Sequence, residues 1–184
     1  IIWQQAQSTP QLSLYGASVP QIIGNPGNSF VVAGFDNGKI ATYSLNNGAP
    51  AWESTIAEAR GQNELDRMVD IDGKLKVMGK ALFAHALNGN NAGINLETGQ
   101  LAWAKSFSSA TGLDADPSGL YSSDSDGNVW KFQPRTGLPA WKMDDLKRRE
   151  PTTPILVNSS VIIVGDKQGN LHWVNTTTGT FVAR

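Results

Sequence analysis

The sequence predicts an all-β protein, a β-propeller of four-stranded antiparallel blades, and three observations carry that expectation. A turn pair recurs four times, two glycines ten residues apart with an aromatic anchor beyond: Gly38, Gly48 and Trp52; Gly89, Gly99 and Trp103; Gly127, Gly137 and Trp141; Gly169 and Gly179. In the fourth copy Ala183 holds the anchor position and Phe181 stands two places earlier. Successive copies lie 51, 38 and 42 residues apart, in the range of four-stranded blades and above that of leucine-rich or ankyrin repeats. The composition agrees, because 19 glycines, 9 prolines and only 17% charged residues suit a β protein dense in turns.

Each copy reads as a hairpin followed by a second reversal. The residue before the first glycine is Asn37, Asn88, Asp126 or Gln168, and Asn-Gly and Asp-Gly favour two-residue hairpins because both central positions need positive φ. Taken in order, residues 1–7 read as the last strand of a truncated blade, with Trp3 standing where each anchor tryptophan stands. Blades follow at 19–57, 68–107, 111–143 and 153–184, all parts of one propeller domain spanning 1–184. In the first, strands are expected at 21–24, 29–34, 39–45 and 51–56. Only DDLKRRE, residues 144–150, looks helical, and for no more than a turn or two. The third strands place Ala41 and Tyr43, Ala92 and Ile94, Trp130 and Phe132, His172 and Val174 on one face, and Ile40, Asn91, Val129 and Leu171 on the other. Apolar residues on both faces are expected of a sheet packed between neighbours.

Several function classes lose support at this point. A net charge of −1 gives no global basic field for nucleic acid or acidic lipid, and the absence of cysteine removes disulfides, thiolate metal sites and cysteine nucleophiles. No apolar run reaches the 18 residues of a membrane helix, and residues 1–20 lack the pattern of a signal peptide. His85 and His172, the two histidines, have no carboxylate or cysteine at metal-ligand spacing and read as packing residues, with His85 set where other copies hold Gly34, Ser123 and Gly165. Asp124, Asp126 and Gly127 faintly suggest a calcium loop but coincide with a hairpin turn, and Asp114, Asp116, Pro117 and Gly119 read likewise as a turn. Lys147, Arg148 and Arg149 form the one basic cluster and read as a solvated face.

Binding is expected on the interblade connectors, since long loops on a rigid scaffold are where binding resides. Residues 8–18 and 58–72 form two long connectors leaving consecutive blades, and they share a face with the middle hairpin turns. Leu12, Leu14 and Tyr15 are apolar in a segment with no core to fill. Asp70 and Asp72 admit two readings, turn-forming aspartates at a strand start or a partner-facing acidic pair that favours a basic partner.

The glycine and tryptophan pattern resembles the docking motif of the pyrroloquinoline-quinone type propellers. The stretches QLSLYGASVP (11–20), RGQNELDRMVDID (60–72) and IIVGDKQGNLHWVNTTTGTFVAR (162–184) resemble the BamB outer-membrane assembly lipoproteins in particular. That resemblance covers the whole chain and implies about four blades of an eight-bladed ring. It implies a non-enzymatic scaffold on the periplasmic side of the bacterial outer membrane, anchored by a lipid on an N-terminal cysteine that this chain lacks. It also implies docking to the POTRA domains of BamA through positions matching Leu12, Leu14, Tyr15, Asp70 and Asp72, with Arg60, Glu64 and Arg67 as the supporting loop, and a role in handling unfolded outer-membrane proteins. No catalytic residue, cofactor, metal or nucleic-acid partner is implied. The chain departs from the family pattern in four ways. Tyr15 stands where many members carry arginine, and Ser44, Asn95, Gln133 and Asn175 replace the docking-motif aspartate. Leu75 replaces a common proline, and the lipidated cysteine is missing.

Two rival readings are a quinoprotein dehydrogenase, which uses the same fold to hold a quinone and calcium, and another propeller binding module. Half a ring leaves two apolar blade faces uncovered, so the chain by itself is expected to self-associate.

Overall fold

The computed structural model describes residues 2–10, 12–13, 18–25, 27–60 and 62–184. Their strands form four separate sheets, each antiparallel and ordered as in the chain. The first holds β1 (Gln21–Asn25), β2 (Asn28–Gly34), β3 (Lys39–Ser44) and β4 (Pro50–Thr55). The second holds β5 (Lys76–Met78), β6 (Ala81–His85), β7 (Asn90–Asn95) and β8 (Leu101–Ser106). The third is β9 (Leu113–Asp116), β10 (Gly119–Ser123), β11 (Val129–Phe132) and β12 (Pro139–Met143). The fourth is β13 (Ile155–Asn158), β14 (Val161–Gly165), β15 (Leu171–Asn175) and β16 (Phe181–Ala183). This is the meander of propeller blades.

The core lies between sheets, in three layers. Val32 and Ile40 of the first sheet meet Leu82, Ala84 and Ile94 of the second; Phe83 of the second meets Leu113, Leu120 and Phe132 of the third; Tyr121 and Val129 of the third meet Ile162, Val164 and Val174 of the fourth. Apolar third-strand residues on both faces are thus buried in the first three sheets, apart from Trp130, which is half-buried. Leu171 is the departure, 53% exposed, because no described residue packs against that side of the fourth sheet. Ile155, Ile163, Trp173 and Ala183 form a ladder across its four strands on the same side.

One clamp joins each sheet to the next. The indole N–H of Trp52 donates to Leu96 O, that of Trp103 to Pro134 O and that of Trp141 to Thr176 O, each at 2.9 Å. The ring then lies on the second turn glycine of the following copy. A Cβ on Gly99 would stand 2.7 Å from the Trp52 ring, and one on Gly137 would stand 2.3 Å from the Trp103 ring. These glycines also sit at φ +73° and +67°, so the position excludes a side chain twice over. Nearer the first strands, Gln21 donates to Leu75 O, and Asp114 accepts from Lys76 at 2.5 Å and from Leu156 N at 2.9 Å. That carboxylate ties the second, third and fourth sheets together. Burial pushes its pKa up, but Lys76 and the Leu156 N–H hold it below the usual value on balance.

Two local expectations need correction. Residues 2–10 form no strand, because no described strand lies beside them to complete a hydrogen-bond ladder. Trp3 nevertheless makes the clamp, donating to Leu45 O at 2.9 Å with its ring over Gly48. Residues 144–150 form turns and no helix. The bonds Lys147 N to Asp144 O and Arg149 N to Leu146 O close single turns, and positive φ at Arg148 and Glu150 stops them from propagating.

Candidate partner-binding face

Every connector runs over the turns between second and third strands, so connectors and turns build one face of the molecule. The two ends of the first connector are held there, Ser8 O accepting from the Asn37 amide at 3.1 Å and the Ser18 hydroxyl accepting from Gly34 N at 2.8 Å. Leu12 is half-buried and Ser13 buried. Leu14 and Tyr15 lie outside the described residues.

The second connector is anchored at both ends and exposed in the middle. At its start, Ala57 O lies against Gly38, where a Cβ would stand 2.2 Å away. At its end, Met68, Val69, Asp70 and Ile71 are buried between the turns of the first two sheets. Ile71 N donates to Phe35 O, and Asp70 O accepts from Leu87 N at 2.9 Å. Ile71 fills the space above Gly34, which has no room for a Cβ. Between these anchors, Arg60, Glu64 and Arg67 are exposed, Arg60 pairs with Glu58 at 2.5 Å, and Asn88 donates to Leu65 O at 3.1 Å. Leu65 stands 69% exposed at the crest.

The aspartates separate in a way that spacing does not reveal. Asp70 is buried, whereas Asp72 is half-buried and turned toward a charge neighbour that sequence reading missed, Asp36 in the first hairpin turn. Burial, then Asp70, then Asp36 push the Asp72 carboxyl up to about 6. The signal available for Asp36 was its place next to Asn37, on the face the connectors share.

The remaining candidates are structural. His85 is fully buried, its Nε2 is 3.1 Å from Ser122 Oγ, and burial lowers its pKa to about 4. His172 Nε2 lies 2.9 Å from Asp166 Oδ2, and with the Asn170 N–H it holds that carboxyl well below the usual range. The third sheet repeats this clamp, with Asp124 Oδ2 accepting from Trp130 at 2.7 Å and Oδ1 accepting from Asn128 N at 2.8 Å. The Asp124 turn therefore braces a hairpin. Asn95 and Asn175 cap their second turns through Oδ1, so two of the four docking-motif substitutions keep side-chain bonds to the turn N–H groups. Among the described residues no three histidines or carboxylates gather as a metal site.

Four stacked antiparallel blades, clamped tryptophan to glycine, with their connectors gathered on one face, define a propeller of the PQQ-like repeat class. A europium-containing methanol dehydrogenase shares this fold at 12% identity with a TM-score of 0.61. The chain belongs to the BamB family, as the model for outer membrane protein assembly factor BamB matches residues 1–143. The BamB of Yersinia pestis is 33% identical over all of this chain and 46% of its own length; that of Escherichia coli K12 is 34% identical over 95% of this chain and 43% of its own. The crystal structure of BamB from Moraxella catarrhalis superimposes with a TM-score of 0.90 at 31% identity, covering 100% of this chain and 54% of that one. The chain spans about half the length of the curated relatives it matches.

Proposed function

We propose that this chain is part of a non-enzymatic scaffold of the outer-membrane β-barrel assembly machinery and that its connector face docks BamA. The curated relatives are named as outer membrane protein assembly factors, which supports the scaffold reading. The observation that carries the docking reading is the half-buried Asp72, with Asp70 and Asp36 as its charge neighbours, at the end of a connector that exposes Leu65. Burial together with the neighbouring Asp70 and Asp36 raises the cost of ionising Asp72, a cost that a cationic partner relieves, and Leu12, Leu14, Tyr15 and Leu65 are the proposed apolar anchors of the same contact. The partner is a POTRA domain of BamA presenting a basic residue to Asp72. In this reading the full-length protein works on the periplasmic side of the outer membrane, held there by an N-terminal lipid, and assists unfolded outer-membrane proteins. The 184-residue chain alone self-associates through the uncovered side of its fourth sheet.

Calorimetric titration of the full-length protein with BamA POTRA domains tests the docking reading. Leu12→Ala and Asp72→Asn are each expected to weaken binding by about tenfold while the protein stays folded. Binding equal to wild type in both variants overturns it.

A further inference from the structure

The turn between β6 and β7 departs from its three counterparts. In the other copies the first turn glycine takes the positive φ, and its N–H donates to the carbonyl three residues back: Gly38 to Phe35 O at 3.2 Å, Gly127 to Asp124 O at 3.1 Å and Gly169 to Asp166 O at 3.0 Å. In the second copy the positive φ, +47°, falls one residue earlier on Asn88, and the Gly89 N–H donates to no described residue. The carbonyl three residues back, Ala86 O, accepts from Ser109 N at 3.5 Å instead, and Asn88 N donates to Ser108 Oγ at 3.0 Å.

Asparagine precedes glycine at three places in the chain, 37–38, 47–48 and 88–89. Such a pair has a chemistry of its own, because the side-chain amide carbon can close a five-membered ring with the next backbone nitrogen and glycine leaves that nitrogen unshielded. At Asn37 and Asn47 both reacting groups are held. Asn37 Oδ1 accepts from Lys39 N at 3.2 Å and Asn47 Oδ1 from Ala49 N at 3.0 Å, while Gly38 N is engaged as above and Gly48 N donates to Ser44 O at 2.9 Å. Gly38 and Gly48 are also buried, against Ala57 O and the Trp3 ring. At Asn88 neither group is held: Oδ1 accepts no hydrogen bond among the described residues, and only Nδ2 is engaged, donating to Leu65 O at 3.1 Å. Asn88 is exposed, and a cleft of about 330 Å³ that Arg60, Asn88, Gly89 and Ser106 help to line admits water beside it.

We infer that Asn88 is a site of spontaneous deamidation in the folded protein, with water as the co-reactant. The Gly89 nitrogen, after losing its proton to base, bonds to Asn88 Cγ; the Cγ–Nδ2 bond breaks, and Nδ2 leaves as ammonia with a proton taken from water. Water then opens the succinimide ring at either of its carbonyls, giving aspartate or isoaspartate. The product carries a carboxylate oxygen where Nδ2 stood, which cannot donate to Leu65 O, so the crest of the second connector loses that tie. The new negative charge appears in the cleft that Arg60 also lines. The site does not depend on the docking reading, and it puts a slow, irreversible chemical change on the same connector.

The test is peptide mapping of the full-length protein by mass spectrometry after incubation in mildly alkaline buffer, once folded and once in denaturant, reading at each Asn-Gly pair the mass gained when NH2 is replaced by OH. In the folded protein Asn88 is expected to convert about tenfold faster than Asn37 or Asn47, each of which must first break a hydrogen bond at both reacting groups. In denaturant those groups are released, and the three rates should converge to within about threefold. Asn88→Gln should abolish the fast conversion, since the ring would need one more atom. If Asn37 or Asn47 converts as fast as Asn88 in the folded protein, or Asn88 does not convert, the inference falls. It falls too if the lead of Asn88 persists in denaturant, because the local sequence and not the turn would then set the rate, or if the fast mass gain survives in Asn88→Gln.

Discussion

Glycines at positive φ are of two kinds here, and the difference is measurable. Gly99 has φ +73° and the Trp52 ring directly above it, whereas Gly79 has φ +60° and nothing within 4 Å of where a Cβ would be. Gly79→Ala should cost about 1–2 kcal/mol through the backbone alone. Gly99→Ala adds the displaced indole and should cost about 2–5 kcal/mol, read from denaturant midpoints. Asp72 makes a residue-scale prediction of a different kind. Its folded pKa of about 6 lies above the ordinary value, so the folded state holds the proton more tightly than the unfolded one. Its contribution to stability is therefore greatest at low pH and declines as pH rises to about 6, with the full cost present above that. After allowance for solvent at this half-exposed group the cost is about 1 kcal/mol, so Asp72→Asn should stabilise by that amount at pH 7 and not at all near pH 4. Binding of a cationic partner has the opposite trend. It should tighten from pH 5 to pH 7 in wild type and stay flat in Asp72→Asn, a dependence that isothermal titrations at three pH values would read.

At the scale of elements, the sequence displayed the clamps because a tryptophan and two glycines at fixed spacing leave a periodic mark. The connectors were legible as long inserts between those marks. What stayed hidden depended on neighbours distant in the chain. Residues 144–150 carry good helix formers, yet seating on the Gly127 turn imposes positive φ at Arg148 and Glu150. Asp70 reads as a surface aspartate, but it is buried where its carbonyl accepts from Leu87 N and the next residue, Ile71, donates to Phe35 O. The pairs Asp124 with Trp130 and Asp166 with His172 are six residues apart across a turn, a spacing that no simple period announces. The second connector owes its shape to one side chain, Ile71, fully buried over Gly34. Ile71→Ala should cost about 2–5 kcal/mol. It should also speed hydrogen exchange at the Leu87 amide, whose acceptor is Asp70 O, and leave exchange in the fourth sheet unchanged apart from global unfolding.

Across the whole molecule, stability is a sum over interfaces between neighbouring sheets, and the fourth sheet has only one such interface among the described residues. Its other side shows Ile155 at 62% and Val157 at 55% exposure, with the ladder through Ile163 and Trp173 between strands. Sedimentation of the 184-residue chain should show association that rises with concentration, and Ile163→Glu should return it to a monomer. A wild-type chain that stays monomeric at high concentration would remove the proposed self-association. The tryptophan clamp has one more consequence. Each indole reads only a carbonyl and a glycine of the sheet that follows, and every sheet offers both in the same place. A copied sheet can therefore be spliced between two others with its joints ready-made, so a fold of this kind grows by gene duplication without inventing a contact. That grammar changes at Ala183, where Phe181 packs back toward His172 and no indole reaches forward. A junction made there has to be composed from other parts.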